Sequence, residues 1–141
     1  MLIDAEPLTD FASKIFLSLG ATSERATTVA SHLVEANLKG HDSHGVGMIP
    51  TYVYGAEKGY LKVNQDAVLA QDSGAVMLFD NNFGFGQVVG RQSTEQAIER
   101  ARSLGMVCAG ARNNYHLGRI GFSSLSKRGW TSSLCIARGR S

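Results

Sequence analysis

Four consecutive residues, His41, Asp42, Ser43 and His44, open a polar segment punctuated by Gly45 and Gly47. Two imidazoles three positions apart, with a carboxylate between them, suit either a metal site or acid/base work. A metal site needs a third or fourth Cys, His or carboxylate at recognisable spacing, and the sequence offers none, so no metal ligand is assigned. For proton transfer the pairing of Ser43 with His44 is apt, because a hydroxyl can orient an imidazole or relay its proton. A purely structural reading stays open beside these: Asp42 or Ser43 capping the helix that follows. A further histidine, His116, lies among Asn113, Asn114, Gly118, Arg119 and Gly121. A glycine loop that leaves a strand and enters a helix presents backbone N–H groups and a positive dipole end, where anions bind. Arg119 adds a charge suited to phosphate or carboxylate. The spacing of Gly118 and Gly121 is neither the dinucleotide G-x-G-x-x-G nor a phosphate-binding P-loop. Gly84-Phe85-Gly86 reads as a turn, with Phe83 and Phe85 packed in the core.

These loops need elements to hold them. Leu8, Phe11, Ala12, Ile15, Phe16 and Leu19 recur at helical spacing, which predicts a helix over 8–19 with Thr9 as N-cap and Gly20 as its stop. Thr22 or Ser23 can cap a second helix whose stripe is Ala26, Val29, Ala30, Leu33, Val34 and Leu38, ending at Gly40. Together they make a helical hairpin. His32 lies beside that stripe and reads as a partly buried or surface histidine. A third helix is expected over 48–58. Residues 67–72 and 75–80 read as strands around an Asp72-Ser73-Gly74 turn. A fourth helix over 87–104 closes at Gly105, and 106–109 reads as a short strand. The order ααα-ββ-α-β indicates a mixed α/β domain.

The 141 residues suit one domain. With 43% hydrophobic and 18% charged residues, the chain has the profile of a globular protein and not of a disordered one. No apolar run approaches the roughly 18 residues of a membrane span. The N-terminus lacks an apolar core of the kind a secretory signal needs. Cys108 and Cys135 carry no motif, which suits a reducing intracellular compartment. The net charge of +2 is unevenly spread: residues 122–141 carry four basic side chains and no acid, and the remainder is slightly acidic. Nucleic-acid binding is not indicated, since that would spread positive charge over a folded face. Residues 122–141 show neither helical nor strand periodicity and are read as an atypical tail, a frameshifted or truncated end.

Three motifs now combine. Gly-His-Asp-Ser-His-Gly-Val-Gly-Met-Ile-Pro (40–50), Asn-Phe-Gly-Phe-Gly-Gln (82–87) and Asn-Tyr-His-Leu-Gly-Arg-Ile-Gly (114–121) together resemble the malate/L-lactate dehydrogenase family. That family also holds ureidoglycolate, sulfolactate and Δ1-piperideine-2-carboxylate oxidoreductases, and is unrelated to the Rossmann-type lactate dehydrogenases. The resemblance implies a non-Rossmann α/β domain, of which residues 1–121 would be the N-terminal portion. It implies hydride transfer between NAD or NADP and a 2-hydroxy acid or 2-oxo acid, in a cytoplasmic homodimer with a small-molecule substrate, no nucleic acid and no membrane. Ser43 and His44 match the family's pair near the substrate carboxylate and reacting carbon. His116 matches the histidine that accepts the proton in some members. His116, Leu117, Gly118, Arg119 and Ile120 match a backbone segment that lies against the cofactor. The alternatives are a catalytically inactive remnant of such an enzyme, or a small metal-dependent hydrolase using His41, Asp42 and His44.

Overall fold

The computed structural model describes residues 3–119. The first two elements are helices α1 (Ala5–Ser18) and α2 (Ser23–Leu38), packed on each other as a hairpin. α1 starts a turn earlier than the apolar stripe suggests, with Asp4 at the N-cap position and Glu6 in the first turn. Thr9 is therefore inside the helix, and its hydroxyl donates to the Ala5 carbonyl at 2.8 Å. Its competence to cap is used on a local carbonyl instead. Asn64 secures the hairpin turn, donating to the Gly20 carbonyl at 2.8 Å and accepting from the Thr22 N–H at 3.2 Å. The apolar stripes are only partly covered. Ala12, Phe16, Ala26, Val29, Ala30 and Leu33 are buried, but Phe11 is 62% and Leu38 72% exposed.

Two short 3-10 turns, Asp42–His44 and Val46–Met48, lead into α3 (Ile49–Glu57) with Pro50 in its first turn. Its Tyr52 enters the core beside Phe16 and Phe85. Phe16 meets both rings edge-on, with centroids 5.6 Å apart in each case. Burying three aromatics in this geometry contributes roughly 1.5–3 kcal/mol per side chain from area alone. Phe85 is in the core as expected; Phe83, which the sequence placed there too, is 44% exposed.

A second, smaller core lies under the sheet. Strands β1 (Val68–Asp72) and β2 (Val76–Asp80) pair antiparallel with an irregularity between Leu69 and Gln71. Helix α4 (Gly86–Leu104) then crosses over to β3 (Cys108–Arg112), which pairs parallel with β2. The sheet order is β1-β2-β3. Met77 and Phe79 of β2 and Ala109 and Ala111 of β3 face inward, with Ala97 of α4 packed against them. The apolar run predicted a strand over 106–109, but Met106 is 79% exposed and the strand begins at Cys108. The parallel register decides this: Val76 pairs with Cys108 and Asp80 with Arg112, so small alanines meet the helix. At the hairpin turn, Arg100 forks onto Asp72 with two 2.7 Å bonds and holds that carboxyl down at about 2.

Candidate active site at the strand ends

β2 and β3 run parallel and end side by side, and each delivers a loop at its C-terminal end. In open α/β sheets this is where ligands bind. The two loops are clamped together. The Asn81 N–H donates to the Arg112 carbonyl at 3.0 Å and the Phe83 N–H to the Asn113 carbonyl at 2.7 Å. The Asn81 amide also hydrogen-bonds Asn114, and Asp80 accepts from Arg112 at 2.9 Å and from Asn113 at 3.0 Å. Asn82, Phe83 and Asn113 take left-handed φ values of 49°, 59° and 55°. Such conformations cost of order 1–3 kcal/mol each for non-glycine residues, and they cluster where a chain is held for function.

The clamp fixes residues 114–119, which carry His116. The Tyr115 hydroxyl donates to the Thr51 carbonyl at 2.9 Å, tying the loop to α3. Gly86 and Gly118 let the backbone approach closely. A Cβ on Gly86 would lie 2.3 Å from the His116 carbonyl oxygen, and one on Gly118 would lie 2.1 Å from His32 Nε2. Gly118 also has φ +70°, which disfavours any side chain. His32 sits directly beneath, and it is only 2% exposed. That corrects the reading of a partly buried or surface histidine. Its Nε2 accepts the Arg119 N–H at 2.9 Å, which requires a neutral ring, and burial pushes its pKa down to about 4. The Arg119 guanidinium meets Glu35 at 3.2 Å.

His116 and His44 come together across the loops. Their rings stack with centroids 5.5 Å apart and planes 27° from parallel. Ser43 Oγ lies 2.9 Å from His44 Nδ1. The 3-10 turn that presents Ser43 and His44 is anchored through Asn37, which donates to Asp42 at 2.6 Å and accepts the Val46 N–H at 2.8 Å. His116 is half-buried; desolvation first, and the nearby His44 second, hold its imidazole below the ordinary range. Its Nδ1 lies 2.8 Å from the Tyr52 hydroxyl, which receives a 2.6 Å bond from the buried Gln87. The pair of histidines is thus held neutral at neutral pH on the His116 side, with a second imidazole adjacent. That arrangement can pass a proton to or from a substrate oxygen.

The other expected site residues divide. Leu117, Gly118 and Arg119 continue the loop, and Ile120 lies outside the described residues, as do Cys135 and the tail 122–141. Arg119 is less available to an anion than its charge suggests, since its guanidinium faces Glu35 and its N–H faces His32. The N–H groups of Tyr115, His116, Leu117 and Gly118, by contrast, meet no acceptor among the described residues. Donors without a protein acceptor beside His116 suit a ligand that carries acceptors. His41 is exposed and Asp42 turns to Asn37. Among the described residues no three His, Cys, Asp or Glu side chains assemble as a metal-ligand set, so the hydrolase alternative has no such set to draw on. No helix among them is long and apolar enough to cross a membrane. Tyr52, Gln87 and the buried role of His32 were missed: a tyrosine or histidine on an amphipathic helix reads as core or surface, and Gln87 stood out only as the last residue of the 82–87 motif.

Comparison with known proteins agrees with this architecture. The family model for malate/L-lactate dehydrogenase matches residues 3–127. Hydroxycarboxylate dehydrogenase B of Escherichia coli is 40% identical over 119 residues, covering 84% of this chain and 33% of that protein. The malate/(S)-sulfolactate dehydrogenase of Methanothermus fervidus is 34% identical over 124 residues, covering 88% and 37%. The solved sulfolactate dehydrogenase of Methanocaldococcus jannaschii superposes with a TM-score of 0.82 at 31% identity, covering 88% of this chain and 36% of that one. The chain spans about a third of the length of the relatives it matches. With the family model running across most of its length, this chain belongs to the malate/L-lactate dehydrogenase family.

Proposed function

We propose that this chain supplies the proton-transfer part of an NAD- or NADP-dependent 2-hydroxy acid dehydrogenase. The observation that carries the reading is the stacked His44–His116 pair at the C-terminal ends of the parallel strands, with Ser43 at hydrogen-bond distance from His44. Bound there, the nicotinamide would accept or supply the hydride at C2 of the substrate. His116 takes the hydroxyl proton when the hydroxy acid is oxidised and returns it when the oxo acid is reduced. A histidine held neutral near pH 7 is suited to both directions. His44, oriented by Ser43, faces the same reacting group and the substrate carboxylate. The N–H groups of residues 115–118, which meet no acceptor among the described residues, supply donors for the cofactor or the substrate carbonyl. The names of the relatives, which include malate and sulfolactate dehydrogenases, favour a small 2-hydroxy dicarboxylate or its sulfonate analogue as substrate.

The test is a chimera in which residues 3–119 replace the matching segment of the E. coli hydroxycarboxylate dehydrogenase B. Malate, lactate, sulfolactate and ureidoglycolate are offered with NAD or NADP, and nicotinamide absorbance is followed. Turnover of at least one is expected. Soluble, folded chimera with no turnover of any of them contradicts the proposal.

A further inference from the structure

His116 has one ring nitrogen engaged and one open. Nδ1 lies 2.8 Å from the Tyr52 hydroxyl, and no described residue hydrogen-bonds Nε2. The Tyr52 hydroxyl is in the core and also receives the Gln87 Nε2 hydrogen bond. Burial raises the Tyr52 phenol well above its ordinary range, so it keeps its proton. A phenol has one proton to give. With Gln87 as donor to its oxygen, Tyr52 gives that proton to Nδ1, the nearer acceptor, the His116 carbonyl being 3.4 Å away. Nδ1 then carries no proton, and a neutral His116 must hold its own on Nε2.

We propose that Tyr52, held by Gln87, is a positioning residue that sets the tautomer of His116, and that the Gln87 amide decides whether Nε2 donates or accepts. The consequence for catalysis rests on reading His116 as the acid/base group. Gln87 Oε1 is buried and meets no hydrogen-bond partner among the described residues. The two ends of an amide are nearly equal in shape, so a half-turn brings Oε1 to the Tyr52 hydroxyl. The hydroxyl then donates to Oε1, and its oxygen accepts from Nδ1–H. This second arrangement is the one an imidazolium requires, because both its nitrogens carry protons. It is also the arrangement of the neutral base, with Nδ1–H held by Tyr52 and the Nε2 lone pair open. The first arrangement stores His116 with Nε2 protonated; the second makes it a base. The protons balance through the imidazolium: as Gln87 turns, Nδ1 takes a proton from solvent, and Nε2 then releases its own to the ligand or solvent, leaving the ring neutral with the proton on Nδ1.

The experiment is a long-range proton–nitrogen correlation spectrum of the 141-residue chain, labelled with nitrogen-15 histidine, at about pH 8, where imidazoles are neutral. His116 is assigned as the signal lost in His116→Gln. The wild-type ring is expected in the Nε2–H form by about tenfold or more, the value of one buried hydrogen bond. Tyr52→Phe should reduce that excess to a mixture. Gln87→Glu, whose carboxylate accepts but does not donate, should draw the Tyr52 proton away and turn His116 to the Nδ1–H form. A wild-type ring protonated on Nδ1, or a tautomer unmoved by Gln87→Glu, overturns the proposal; the wild-type spectrum and this variant keep it testable if Tyr52→Phe fails to fold. The spectrum needs no turnover. The predicted tautomer together with a folded chimera that turns over nothing would sink the dehydrogenase reading alone, and turnover in the chimera with the other tautomer would sink this one alone.

Discussion

His32 and His116 are both deprived of water and both held neutral, yet they do opposite things. His32 is enclosed beneath Gly118 and uses Nε2 to accept a backbone N–H. His116 is half-buried, engages Nδ1 with Tyr52 and leaves Nε2 open beside a second imidazole. Low basicity therefore does not mark a reactive histidine by itself. What separates the two is what each imidazole faces: the Arg119 N–H for His32, a second imidazole for His116. The same loop, 116–119, joins them: one histidine sits on it, and the other holds it from below.

The largest effect that would break this contrast comes from substitution of His116. In the chimera, His116→Ala should lower turnover on the order of 10²–10⁴-fold, the usual worth of a positioned acid/base group. Cofactor affinity should change far less, because the backbone donors of residues 115–118 remain. Steady-state kinetics with separate kcat and cofactor KM measure both.

A second effect is on stability and falls on His32. Its folded pKa of about 4 lies below the ordinary 6.5. Between those values the unfolded chain binds a proton that the folded chain refuses. Stability is therefore complete above about pH 6.5 and drains away as pH falls towards 4, by on the order of 2–3 kcal/mol. His116 shifts in the same direction and adds to the slope. Denaturant melts of the 141-residue chain at stepped pH read this directly. In His32→Leu the slope should flatten, while overall stability falls by about 1–3 kcal/mol, because the Arg119 N–H loses its acceptor. An unchanged slope would mean that His32 is not the buried neutral ring described here.

The smallest effect sharpens the second imidazole. Ser43→Ala removes a single partly exposed hydrogen bond to His44. Turnover should fall by no more than about tenfold, with substrate KM rising and the cofactor KM unchanged.

Much of this was legible in the residues. The helical hairpin, the strand pair around Asp72-Ser73-Gly74 and the long α4 follow from period and punctuation, and three loop motifs carried the family. Thr9 misled because a threonine in the first turns of a helix can bond a carbonyl as readily as it caps. Met106 and Val107 misled because apolar character does not fix register; pairing with β2 does, and it selected Ala109 and Ala111. His32, Tyr52 and Gln87 were illegible as a group. Their contacts span 35 to 87 positions of sequence, and no local pattern encodes contacts at that range.

The central claim is that His116, not His44, carries the proton. It is tested most directly by the pH profile of kcat/KM in the chimera and in its His116→Ala and His44→Ala forms. The account predicts a limb with an imidazole pKa below the ordinary 6.5, abolished in His116→Ala and retained, at reduced rate, in His44→Ala. A limb that survives His116→Ala and disappears in His44→Ala would contradict it and reverse the two roles.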